Sequence, residues 1–135
     1  MREIPINSWA VIVAALARIL LGALWYSPAL FLPRWMQFAG VSQQQMKSTF
    51  PKAMAADVVG SLVMSFVLVH AIVYAGANGL VQGAIVGFLN WLGFIAFVLA
   101  SGNIYEQRPL GYYGINAGYQ LIALLLMGAI LGAWM

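Results

Sequence analysis

Apolar positions along this chain gather into four long runs separated by polar or glycine-rich breaks. The runs cover about residues 7–27, 51–75, 80–102 and 112–134; a helix needs about 20 residues to cross a hydrocarbon core of about 30 Å. Inside lipid every backbone N–H and C=O must find its partner within the segment, so the runs read as helices and not as open strands. Asn7 or Ser8 supplies an N-cap for the first run, and Pro28 stops it. Pro51, a favoured first-turn residue, opens the second, which ends before the breaker string Gly76-Ala77-Asn78-Gly79.

Residues 28–50 form the one long connection. Leu32, Trp35, Met36 and Phe38 stand beside Arg34 and Gln37 there, a pattern that predicts a short helix lying in the membrane interface. Ser42 with Gln45 three residues on fits a capping box that opens a further polar turn or two. The other connections are short, so consecutive spans are expected to be antiparallel neighbours. The fold class predicted is an all-α integral membrane protein: four transmembrane helices in an up-down bundle, with residues 1–135 forming a single membrane domain.

Composition agrees with that pattern and removes most other classes. The chain is 64% hydrophobic and 7% charged, against roughly 25% charged in an ordinary soluble domain. Its net charge of +3 comes from so few groups that it speaks of orientation and not of nucleic-acid binding. With no cysteine, disulfides, thiolate catalysis and iron–sulfur ligation are excluded. Arg2 precedes an apolar run, as in a signal peptide. The run is too long for an h-region and offers no small-x-small cleavage site, so it is expected to remain as a span. Loops one and three carry Arg34, Lys47, Lys52 and Arg108, whereas the opposite side has Arg2. Basic loops stay in the cytoplasm, which predicts a multi-pass cell-membrane protein with both termini outside. Trp9, Trp25, Tyr26, Trp35, Tyr112, Tyr113 and Trp134 fall near span ends, as interfacial anchors do.

The stretch Leu20 to Gly40, with its Gly-x-x-Trp-Tyr-Ser-Pro core at Gly22, Trp25, Tyr26, Ser27 and Pro28, resembles a small bacterial membrane family catalogued as domain of unknown function 1761. The stretches around Asn90, Tyr105 to Gln120 and Leu124 to Trp134 are similar in character and order. The resemblance covers nearly the whole chain and implies a four-helix membrane protein. It implies no activity, cofactor or functional residue.

One residue breaks the apolar pattern. Arg18 sits midway along the first run, where an arginine costs about 2.5–3.5 kcal/mol on insertion scales. The eight strongly apolar residues of that run return about 0.3–0.6 kcal/mol each, about 2.4–4.8 kcal/mol together. The terms nearly cancel, so the helix inserts marginally and needs a partner for its charge. Ala14, Ala15 and Gly22 share the Arg18 face, and small residues mark close helix approach, which points Arg18 into the bundle.

Asp57 is the acidic residue within a span and the expected counter-charge. Counted from Pro51 it lies about 4–5 Å from the depth of Arg18, within an arginine's reach. Gly60, Ser61, Met64 and Ser65 continue its stripe. Asn90 lies near mid-membrane on the third run, and Asn116 and Gln120 share a face of the fourth. Arg18, Asp57, Asn90, Asn116 and Gln120 are therefore expected to form one intramembrane polar cluster. The same residues could merely stitch helices together, as neutral polar groups do in small bundles.

Gly79, Gly83 and Gly87 recur every four residues, and Gly114/Gly118 and Gly128/Gly132 add two further small faces. With Gly22 these read as helix-packing positions, toward helices of this chain, of a second copy or of a larger membrane complex. His70 has no second histidine near it, so no metal site is predicted. Glu106 and Arg108 read as a solvated local ion pair in the third loop.

No nucleophile–base pair, paired carboxylates or metal-ligand set occurs, so neither a catalytic residue nor a cofactor site is expected. The leading functional reading is a non-catalytic interaction or accessory subunit that offers its Gly-rich faces to other membrane helices. A different class is a small oligomeric carrier or channel for a solute or ion, with Arg18 at its centre. A third reading places a lipid, pigment or quinone between Phe88, Trp91, Phe94, Phe97 and the neighbouring helices.

Overall fold

The last helix is the axis around which the others are arranged. A computed structural model describes residues 6–134. Its elements are α1 (Ser8–Trp25), α2 (Leu32–Ala39), α3 (Gln43–Tyr74), α4 (Gly79–Trp91), a π-helical segment (Leu92–Ala96), α5 (Phe97–Tyr105) and α6 (Leu110–Trp134), with no strand among the described residues. Four rods are long and apolar enough to cross a membrane: α1, α3, the continuous α4–π–α5 rod from Gly79 to Tyr105, and α6. Their outer faces leave Leu20, Val67, Phe94, Phe97 and Val98 more than half exposed, a surface that suits lipid and not water. Arg2, on which part of the charge asymmetry rests, lies outside the described residues.

Local chemistry sets most of the helix ends. The Asn7 side chain accepts from the backbone N–H groups of Trp9 and Ala10 at 3.1 and 3.4 Å, capping α1. After α1 the Ser27 carbonyl accepts from the N–H groups of Leu30 and Leu32, and the chain doubles back around Pro28. Pro33 occupies the first turn of α2, and Gly40 closes it at φ 69°, a left-handed conformation that suits glycine.

The second span begins earlier than its apolar pattern predicts. The Ser42–Gln45 capping box is complete at 2.9 and 3.2 Å, and it starts α3 itself, with Pro51 inside the helix. Proline removes one intrahelical donor and crowds the carbonyl four residues back. Here that carbonyl belongs to Lys47, on an exposed polar turn, where solvent or headgroups can satisfy it. The hydroxyls of Ser48 and Thr49 also donate to the Gln45 carbonyl and hold the turn together.

A second departure is the π-helical segment, which puts an extra residue into a turn of the third span. The Tyr113 hydroxyl donates to the Ala96 carbonyl at 2.9 Å, so α6 supplies a partner where the helix changes pitch.

Two kinds of packing build the interior. Ala10 and Ala14 of α1, Leu68, Val69 and Ile72 of α3, and Leu124, Met127 and Leu131 of α6 form an apolar core. On the opposite flank α4 and α6 meet through glycine. A Cβ added to Gly83 would strike the Gly128 carbonyl, one on Gly87 the Leu124 carbonyl, and one on Gly132 the Gly79 carbonyl. These pairings run in opposite sequence directions, so α4 and α6 are antiparallel. The α1–α3 contacts do the same, Val11 meeting Ser65 and Arg18 meeting Ser61.

Candidate functional site

Near the middle of α1, Arg18 is 6% exposed and points at the junction of α1, α3 and α6. Its Nη1 donates to Ser61 Oγ at 2.7 Å and its Nη2 to Gln120 Oε1 at 3.2 Å. The guanidinium lies over the Tyr119 ring, 5.2 Å from the centroid, a cation–π geometry. The Tyr119 hydroxyl in turn donates to the Arg18 carbonyl at 3.0 Å. It has room to do so because residue 22 is glycine: a Cβ there would sit 2.8 Å from the hydroxyl oxygen. Arg18 Nε is buried and has no hydrogen-bond partner.

The expected counter-charge is elsewhere. No salt bridge joins Arg18 to Asp57, whose side chain is exposed. The reason is register. Ser65 faces Val11 and Ser61 faces Arg18, so moving toward the end of α1 moves toward the start of α3. Asp57, one turn before Ser61, therefore lies toward the Trp25–Tyr26 end of the bundle. The depth offset counted from Pro51, about 4–5 Å, is close to the one turn observed; the side chain level with the guanidinium is Ser61, and it takes the place expected of Asp57. The side-chain acceptors that meet the guanidinium are both neutral.

The other expected members divide. Gln120 joins Arg18 directly. Asn116 stays on the same side of α6 and accepts from the Tyr26 hydroxyl at 2.8 Å, with the Tyr26 and Tyr119 rings edge-to-face at 5.4 Å. Asn90 is not in the cluster: its Nδ2 donates to the Val86 carbonyl of its own helix at 2.9 Å. Ser61 and Tyr119 are the two partners whose roles the sequence reading missed. Ser61 was legible as the residue one turn beyond Asp57, and Gly22 was the trace of Tyr119, an absent side chain where a ring needs space.

The Trp25-Tyr26-Ser27-Pro28 stretch ties the end of α1 to the start of α6. Trp25 Nε1 donates to the Ile115 carbonyl at 3.0 Å, and its ring packs on Phe31 with centroids 4.7 Å apart. From the other flank Trp91 Nε1 donates to the Ala117 carbonyl at 2.9 Å. Two tryptophans thus grip α6 two residues apart. Gly118 receives the Trp25 ring, whereas Gly114 meets nothing within 4 Å.

One lesser expectation changes. Arg108 does not stand in a loop ion pair with Glu106. Its Nη1 donates to the carbonyls of Phe38 and Ala39, both at 2.9 Å, and caps the C-terminus of α2. His70 places Nδ1 2.7 Å from the Phe66 carbonyl and packs its ring on Phe66. A carbonyl only accepts, so Nδ1 carries the proton. Among the described residues no three His, Asp or Glu side chains gather as a metal site would need.

The family described as "Protein of unknown function (DUF1761)" matches residues 9–132. The chain belongs to that family. Its matched segment contains α2 to α5 whole and nearly all of α1 and α6, and so every residue around Arg18. No curated protein and no solved structure matches the chain.

Proposed function

We propose that the protein is a small solute or ion carrier of the membrane, with Arg18 as the fixed cation that receives an anionic group. One observation carries this reading: Arg18 is buried, bonded to neutral Ser61 and Gln120, and paired with no carboxylate among the described residues. A glutamine at that position could serve Ser61 and Gln120 equally well without the cost of a mid-membrane cation, about 2.5–3.5 kcal/mol. Stitching alone therefore accounts poorly for an arginine. The reading includes no chemical step and no cofactor.

The accessory-subunit reading loses its main support, because Gly83, Gly87, Gly128 and Gly132 are occupied within the chain by the α4–α6 contact. The aromatic-pocket reading fares no better: Phe94 and Phe97 point outward and Trp91 is bonded to α6.

In the membrane we place the chain as an up-down bundle, basic loops to the cytoplasm and both termini outside, with α2 at the cytoplasmic surface. Four helices leave little interior, so a carrier of this size works as a homo-oligomer, each copy contributing its own Arg18. Reconstituted vesicles test the reading. Flux of chloride, phosphate or acetate through the wild-type protein should exceed that of empty vesicles and fall at least tenfold in Arg18→Gln. No flux of any of the three, or an Arg18→Gln variant as active as the parent, overturns it.

A further inference from the structure

At 32 residues, α3 is about 48 Å long, against about 30 Å of hydrocarbon. Its register against α1 pairs Ser65 with Val11 and Ser61 with Arg18, so the first turns of α3 project past the end of α1. Beside them lies α2, held on the bundle's end. Trp35 stacks on Tyr112 with centroids 6.5 Å apart and meets Tyr26 edge-on at 6.2 Å, while Phe38 lies against Gly111. Because α2 turns its apolar side chains inward, the apolar surface left at this level is the gap between α2 and the projecting turns.

That gap is an open cleft of about 570 Å³, lined by Trp35, Val41, Met46 and Phe50 with the hydroxyl-bearing Ser48 and Thr49. Phe50 is 58% exposed. The charges that flank the lining residues in sequence are basic, and Asp57 comes one turn of α3 beyond Ala53, at the inner end of the cleft. Arg34, Lys47 and Lys52 each adjoin a lining residue in sequence, and residues 28–53 contain no acidic side chain. An apolar slot whose outer end is flanked by Arg34, Lys47 and Lys52 matches a molecule that has an acyl chain below and a negative charge above.

We propose that this cleft binds one anionic phospholipid, its chain against Trp35, Met46 and Phe50 and its phosphate among Arg34, Lys47 and Lys52. The site is separate from Arg18 and does not depend on the carrier reading. The side that holds these basic residues is the one expected to face the cytoplasm, whose leaflet is the anionic one.

The test uses the full chain in nanodiscs of phosphatidylcholine containing a minority of phosphatidylglycerol. Native mass spectrometry then reads the lipid retained after extraction. Wild-type protein should keep phosphatidylglycerol in clear excess over its share of the bilayer. Neutralising basic residues to glutamine should lower that preference by about fivefold per residue, until Arg34→Gln, Lys47→Gln and Lys52→Gln together abolish it. These side chains are exposed, so unchanged tryptophan fluorescence is expected to show the fold intact. Phe50→Ser should reduce retention of both lipids and leave the headgroup preference in place. Retention of the two lipids in bulk proportion, a triple variant with undiminished preference, or a bound polypeptide in place of lipid would each overturn the proposal.

Discussion

The two flanks of α6 show opposite ways of holding membrane helices together. Toward α4 the contact is made of absences: Gly83 and Gly87 meet Gly128, Gly132 and the Leu124 carbonyl so closely that backbone touches backbone. Toward α1 and α3 an apolar core around Ala14, Leu68, Val69, Met127 and Leu131 is interrupted by a charge and its neutral partners, Arg18 with Ser61, Gln120 and the Tyr119 ring. Lipid tails are as apolar as leucine, so burial gives little drive to associate helices, and close van der Waals packing has to supply it. The glycine flank does that. The arginine flank instead contains a group that is expensive wherever it is buried, a weak way to gain stability. The glycine contact is explained by packing alone, whereas the buried arginine is what the proposed carrier role would account for.

The comparison is broken most severely at glycine. Gly83→Val puts side-chain atoms onto the Gly128 carbonyl, where neither backbone can yield cheaply. It should cost about 3 kcal/mol, the upper part of the range for overpacking, read as lost reversible unfolding in mixed micelles. Stability within 0.5 kcal/mol of the parent, on the order of an ordinary surface change, would show that α4 and α6 do not pack as described.

On the other flank, removing a neutral acceptor should hurt more than removing the charge. Gln120→Leu leaves the guanidinium with Ser61 alone and should cost about 1.5–3 kcal/mol, as for hydrogen bonds to charged groups. Arg18→Met should be close to neutral or stabilising, because it removes a buried cation while Ser61 and Gln120 can pair with each other or with backbone. Joined in a double-mutant cycle, Arg18→Met should recover most of what Gln120→Leu loses. Additive losses would mean that Arg18 is itself a structural brace.

The smallest effect is expected where both flanks meet the ends of α6. Tyr26→Phe deletes one bond to Asn116 and should cost about 0.6 kcal/mol, the average for such bonds in membrane proteins. A loss as large as that of Gln120→Leu would extend the Arg18 cluster to the Tyr26–Asn116 pair.

Much of this protein is determined by sequence alone, because the quantities involved are local. Apolar run lengths specify four spans, Ser42 and Gln45 specify the start of α3 through a box that closes within three residues, and Gly40 permits the left-handed turn after α2. Helical phase turns Arg18 inward, since Ala14 and Gly22 lie on its side. Periodicity also brings Gly79, Gly83 and Gly87 onto one face, but phase alone names no partner for that face.

Only the tertiary structure decided that the partner is α6 of the same chain, and that Arg18 meets Ser61 and not Asp57. A helix can slide along its neighbour without changing its own pattern. One turn of slip, 5.4 Å of pitch, exchanges the residue opposite a given side chain for the next on its stripe. Asp57 and Ser61 are such a pair. Which of them faces the arginine is set by the sum of contacts along α1 and α3, among them Ala10 and Ala14 against Leu68, Val69 and Ile72, and by nothing in the neighbourhood of either residue.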